Sequence, residues 1–232
     1  MDFEEVVTSR RSVHQYSDEA VDRETLEDII GQARYAPSSF NLQPWEFLVV
    51  QSDENRERLR EAANDQEHVT DASAAVVVFG NLDPSAHADA VFGDWLAKDY
   101  IPDEETKEYL VDTADGMADL PEAERRVWTT RSSALAAMSL MNAAWNQGVA
   151  SCPVGGFDAD ALVDEFDVPD GYEPVLVVTL GYPAEDADDL ENPRKYRRPV
   201  DEIAHFGEFD PVEETTLADA GGSADAAATS DD

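Results

Sequence analysis

Asp22 stands before a stretch in which Leu26, Ile29, Ile30 and Ala33 return at helical spacing through about Tyr35, and Pro37 ends it. Phe3, Val6 and Val7 mark a shorter amphipathic helix ahead of it. Phe47-Leu48-Val49-Val50 reads as a buried strand and Glu54 to Ala63 as a short helix. The run Ala74 to Gly80, rich in β-branched residues, suits a central strand covered on both faces, and Pro174 to Gly181 is its counterpart. Between them, Pro121 to Gly148 carries Val127, Trp128, Leu135, Met138, Met141 and Trp145 at near-helical spacing, which predicts a long core helix with Gly148 as its C-cap. Residues 84–120 read as helical around Phe92-Trp95-Leu96 and again near Tyr109-Leu110, with a narrow apolar face, the pattern of a lid or a dimer excursion. Helices alternating with few strands predict a three-layer α/β or α+β domain.

Composition adds a solvent argument. The chain of 232 residues holds 52 acidic and 16 basic side chains, a net charge of -36, and only three lysines, Lys98, Lys107 and Lys195. Such a surface repels nucleic acid and anionic membranes. The organised apolar runs argue against disorder, and the acidity resembles that of proteins adapted to multimolar salt, where the Debye length falls to about 3 Å. The first residues lack a basic and apolar leader and no apolar stretch reaches membrane-spanning length, so the expectation is a soluble, cytoplasmic protein. Residues 210–232 contain acids, Ala, Gly, Ser and Thr without a base and read as a disordered acidic tail beyond a domain of residues 1–209. The lone Cys152 has no base near it in sequence and reads as a small buried hydrophobe, while the four histidines are scattered, with no metal-type spacing. No hydrolase triad or phosphate-loop sequence is present.

Four segments can carry chemistry. Arg10-Arg11-Ser12 offers two guanidiniums and a hydroxyl to a phosphate, with His14 just beyond. Ala36-Pro37-Ser38-Ser39-Phe40-Asn41-Leu42-Gln43-Pro44-Trp45 combines proline-stiffened backbone with polar groups suited to a heteroaromatic edge or a ribityl chain, or serves as a turn with Trp45 in the core. Pro153-Val154-Gly155-Gly156 leaves backbone N–H groups open to a ligand just before Asp158 caps a helix, or is a plain turn. Arg194-Lys195-Tyr196-Arg197-Arg198 gathers four bases in a chain that otherwise excludes them, a reason to expect an anionic ligand or an internal ion pair.

In this order, R-R-S-V-x-x-Y, A-P-S-S-x-N-x-Q-P-W, P-V-G-G-F-D and K-x-R-R-P resemble the FMN-dependent nitroreductase family over about Phe3 to Phe206. The resemblance implies a mixed sheet flanked by helices, in a homodimer with FMN at the subunit interface, and ping-pong hydride transfer from NADH or NADPH to a small-molecule acceptor such as a nitroaromatic or quinone. Relatives that reduce an enone or a small aldehyde, or a flavin-binding protein without turnover, are the alternatives. By motif, Arg10, Arg11, Ser12 and His14 fall at the FMN phosphate and ring region, with Lys195 and Arg197 completing the phosphate clamp. Ser38, Ser39 and Asn41 would meet the flavin of the partner subunit, and Pro153, Val154, Gly155 and Gly156 would line the isoalloxazine. Some members carry cations where this chain has His14 and, roughly, His68; neutral histidines there would support a reduced flavin less. Asn64, Asp65 and Gln66 are further candidates between which spacing does not choose.

Overall fold

Residues Ala74–Asn81 form β2, and all eight are buried. A strand covered on both faces lies inside a sheet, and β2 has a neighbour along each edge. β1 (Trp45–Val50) pairs with it antiparallel, Val49 opposite Val76, and β4 (Tyr172–Gly181) pairs antiparallel on the other side, Val177 opposite Val77. β3 (Ala150–Val154) lies beyond β4, giving the order β1-β2-β4-β3. Pro153 fits there because an edge strand leaves one row of N–H groups outside the ladder. All four strands pair antiparallel; among the described residues the parallel contribution to the sheet is the isolated bridge of Ser12 with Ser151.

The computed structural model describes residues 1–184 and 194–212 and separates into two units, Met1–Glu191 and Asn192–Asp232. Most of the expected acidic tail, residues 213–232, lies outside the described residues. In the first unit the helices are α1 (Phe3–Ser9), α2 (Arg23–Ala33), α3 (Asp53–Ala62), α4 (His68–Asp71), α5 (Ala88–Ala97), α6 (Glu104–Ala118), α7 (Glu122–Asn146) and α8 (Ala159–Glu165). The Asp22 carboxylate accepts from Thr25 N at 2.8 Å and that of Asp158 from Ala161 N at 3.0 Å, the caps that the sequence predicts. In the second unit Val200–Ile203 forms a single helical turn, α9. Among the described residues no helix is long and apolar enough to cross a membrane.

Alternation along β2 sorts its side chains into two cores. Ala74, Val76 and Val78 pack with α2 and α7 through Leu26, Ile29, Ala137 and Leu140, whereas Ala75, Val77 and Phe79 pack with α3 and α8 through Leu59, Ala62 and Leu162. The result is the expected three-layer α+β sandwich. A third cluster joins Leu42 to Val91, Phe92 and Ala114, which seats α5 and α6, the excursion of residues 84–120, on the 36–45 loop.

α7 is the long helix expected, but its inward face is a different one. Of the six residues read as its core stripe, Met141 alone is buried; Val127, Leu135 and Met138 are exposed, Val127 and Leu135 at 48% each. The buried face consists of Thr129, Ser132, Ser133, Ala136, Ala137, Leu140, Ala143 and Ala144 together with Met141. Close approach is the reason: a Cβ added at Gly80 on β2 would lie 2.4 Å from Thr129 Oγ1, so only small side chains fit along that contact. Gly148, at φ +78°, follows the helix in the left-handed conformation, and Val149 N donates back to Ala144 O at 2.9 Å.

Candidate functional site

The segment after α1 is stitched to β3 and β4. Ser12 bridges Ser151 in parallel, Val13 N donates to Ser151 O at 3.1 Å, and the Val13 side chain is fully buried. Four residues on, Tyr16 bridges Pro183, and its hydroxyl lies 2.7 Å from Thr179 Oγ1, which donates to Cys152 O at 3.3 Å. Burial raises the Tyr16 phenol above its ordinary pKa, so the group stays a neutral link. These contacts hold residues 10–14 beside β3. Arg10 closes α1 through its backbone N–H to Val6 O at 3.1 Å. The Arg11 guanidinium turns back over the same helix end, donating to Ser9 O at 2.6 Å and Thr8 O at 3.3 Å, where a cation meets the negative end of the helix dipole.

Directly past β3, Gly155 and Gly156 are exposed, and a Cβ added at Gly155 would meet nothing within 4 Å. This is an open backbone ledge. It is fastened from below by the turn after α3: Asn64 Nδ2 and Gln66 Nε2 each donate to Gly156 O at 2.8 Å. Asn64 and Asp65 adopt left-handed φ values of 57° and 59° to make that turn. Among the three candidates that spacing left equal, Asn64 and Gln66 thus belong to the glycine ledge, while Asp65 pairs with Arg60 at 2.7 Å.

The same turn leads into α4 and brings His68 to His14. Their rings stand edge to face with centroids 5.0 Å apart, and Cys152 Sγ lies 3.4 Å from His14 Nε2. The expectation that Cys152 has no base beside it and that the histidines stay scattered is therefore corrected. One ligand atom from each of His14, His68 and Cys152 falls within 4.8 Å of the others. Burial first, and then the charge of His14, push the His68 imidazole below its usual pKa, which keeps it neutral at pH 7. His68 Nε2 and Ser151 Oγ are buried without a hydrogen-bond partner among the described residues.

The 36–45 loop sits elsewhere. Ser39–Asn41 forms a 3-10 turn, Phe40, Asn41 and Gln43 have positive φ, and Gln43 N donates to Ser38 Oγ at 3.0 Å. Leu42 packs under α5, and Trp45 packs with Ala36 and Ala136, the core role weighed for it. Lys195 and Arg197 lie in the second unit, both exposed; Arg197 donates to the carbonyls of Lys195 and Tyr196 at 3.1 and 3.0 Å. Arg198 pairs with Glu202 at 3.2 Å.

Residues 10–14, the 151–156 ledge and the 64–68 turn thus form one site from segments far apart in the chain. A guanidinium and a hydroxyl suit an anionic group, and the open glycine backbone with orphaned polar atoms nearby suits the polar edge of a flat ring, so the residues present fit a flavin nucleotide. The fold is thus an α+β sandwich with these segments gathered at the β3 edge of its sheet.

Comparison narrows the class. The model of the nitroreductase family matches residues 7–182. YodC of Bacillus subtilis, named for NAD(P)H nitroreductase activity, is 33% identical over 178 residues, 76% of this chain and 87% of YodC. A solved structure from Staphylococcus epidermidis, described as an NAD(P)H:FMN oxidoreductase, is 34% identical at a TM-score of 0.79, covering 88% of this chain and 95% of its own. Another, a nitroreductase from Exiguobacterium sibiricum in complex with FMN, is 29% identical at a TM-score of 0.78, covering 89% and 97%. The chain belongs to the nitroreductase family.

Proposed function

We propose that the chain is an FMN-dependent NAD(P)H oxidoreductase that reduces a nitroaromatic, a quinone or a related small acceptor, working as a homodimer in a salt-rich cytoplasm. The observation that carries this reading is the junction of Ser12 with Ser151, which holds residues 10–14 beside β3, the strand that leads into Gly155–Gly156, within a chain of this family. Its relatives' names and the FMN complex of a structural neighbour support the cofactor and the donor.

Bound FMN would supply hydride transfer between NADH or NADPH and the acceptor. The chain's own part is to bind and orient. Arg10 and Ser12 would hold the phosphate and ribityl end, with Lys195 and Arg197 supplying further positive charge. Arg11, seated on the end of α1, would add charge without turning toward the ligand. Pro153, Val154, Gly155 and Gly156 would floor the ring, with a backbone N–H of the ledge donating to it, while Asn64 and Gln66 hold the ledge at its height. Ser38, Ser39 and Asn41 would reach the flavin of the partner subunit. His14 and His68, standing where some family members carry cations, would give a reduced anionic ring less support than lysines would. The FMN domain would span residues 1–209, and residues 210–232 would be an acidic solvating tail.

Dimerisation draws support from α7, which turns Val127, Leu135 and Met138 outward on one face. Anaerobic mixing of the FMN-loaded protein with NADH and with NADPH in molar KCl tests the activity. Bleaching of the yellow flavin is expected with at least one donor; a flavin that stays oxidised with both would reduce the protein to a flavin carrier without turnover.

A further inference from the structure

We propose that His14, His68 and Cys152 form a binding site for one soft divalent cation of the zinc class. The inference goes beyond the flavin reading, and because His14 and His68 also stand in the proposed flavin site the two are tested apart.

The ligand atoms are already gathered: all three lie within 4.8 Å of one another, and Cys152 Sγ and His14 Nε2 are 3.4 Å apart. A tetrahedral centre with Zn–N near 2.0 Å and Zn–S near 2.3 Å spaces its ligands about 3.3–3.7 Å apart. The thiol–imidazole edge thus has the required length, and the His68 ring needs only a small shift. Each ligand is held by a different element. Cys152 is in the β3 ladder, His14 follows the backbone bond from Val13 to Ser151, and His68 opens α4. Holding ligands on separately anchored backbone limits the ordering cost of binding. Among the described residues the buried Nε2 of His68 has no hydrogen-bond partner, so this imidazole has a ring nitrogen to offer.

Chemistry sets the metal class. Two imidazoles and a thiolate favour zinc, cobalt or copper over magnesium and calcium, which prefer oxygen. This matters because 52 carboxylates attract hard cations everywhere on the surface, and a nitrogen–sulfur site answers to a different set. Binding ionises the Cys152 thiol, whose proton leaves to solvent, and forms one bond each to Sγ and the two rings. Cys152 is buried, His68 half-buried and His14 exposed, so water or solute can complete the coordination from the exposed side.

The test titrates the full-length chain, freed of flavin and of metal by a chelator, with Co2+ in molar KCl containing excess Mg2+. One equivalent should bind with a thiolate-to-cobalt charge-transfer band, and Zn2+ should remove the band by displacement. Cys152→Ala should abolish the band, and His68→Gln should weaken binding by roughly tenfold or more. Because Cys152 is buried and its variant is at risk of misfolding, the half-exposed His68→Gln decides the matter, with circular dichroism confirming its fold. No band in the native chain, or His68→Gln binding Co2+ as tightly as the native chain, overturns the proposal. Flavin uptake is read on the metal-free chain from its visible absorbance, so that failure of the flavin reading and failure of the metal site are told apart.

Discussion

Tyr16 shows how much one side chain does to place the site. Its hydroxyl, Thr179 Oγ1 and the Cys152 carbonyl form a buried chain of 2.7 and 3.3 Å links beneath β3, and its ring lies so close to Gly181 that an added Cβ there would fall 2.7 Å from it. Tyr16→Phe removes one of the two links of Thr179 Oγ1, which keeps its bond to the Cys152 carbonyl, and should cost about 0.5–1.5 kcal/mol in chemical denaturation. A pH dependence accompanies it. The unfolded phenol ionises near 10.0 and the folded one well above, so the folded state holds its proton more tightly. The linked stability is complete below pH 10 and declines as pH rises beyond it, a decline that Tyr16→Phe should lack when denaturation midpoints are compared up to pH 11. Gly80 works by the opposite means, through what it omits. Gly80→Ala drives a methyl into Thr129 and should cost about 1–3 kcal/mol, with Thr129→Ala in the same chain recovering most of the loss.

At the scale of the element, α7 carries two faces with different duties. Thr, Ser and Ala face the sheet because the helix lies close against it, and the larger Val127, Leu135 and Met138 are turned outward. If that stripe is the subunit interface, Leu135→Asp combined with Met138→Asp places two charges in it and should shift the protein from dimer to monomer in light scattering. The fold within the subunit should survive, since neither side chain is in its core. A dimer that persists unchanged would move the interface elsewhere. Periodicity found the helix readily but could not orient it, because apolar size alone ranks a large exposed residue above a small buried one.

At the scale of the molecule, the chain carries a net charge of -36, and among the described residues several bases are engaged by acids: Arg56 with Asp53, Arg58 with Glu165, Arg60 with Glu57 and Asp65, and Lys107 with Asp89 and Glu104. The remaining acids repel one another, so the thermal midpoint should rise from ~0.15 M to ~1 M KCl, where the Debye length shrinks from about 8 to 3 Å. A midpoint independent of salt would count against adaptation to brine. What the sequence by itself determined is the set of elements: β2 and β4 as buried strands, the helices with Asp22 and Asp158 as caps, and a resemblance to the family whose model matches residues 7–182. Each is local, written in propensity, capping and the alternation of apolar residues over a few turns. Only the tertiary structure decided which face of α7 points inward, that Asn64 and Gln66 rather than Asp65 support the glycine ledge, and that His14, His68 and Cys152 meet. Those outcomes depend on how closely elements approach and on register between segments more than fifty residues apart, quantities that no local pattern along the chain encodes.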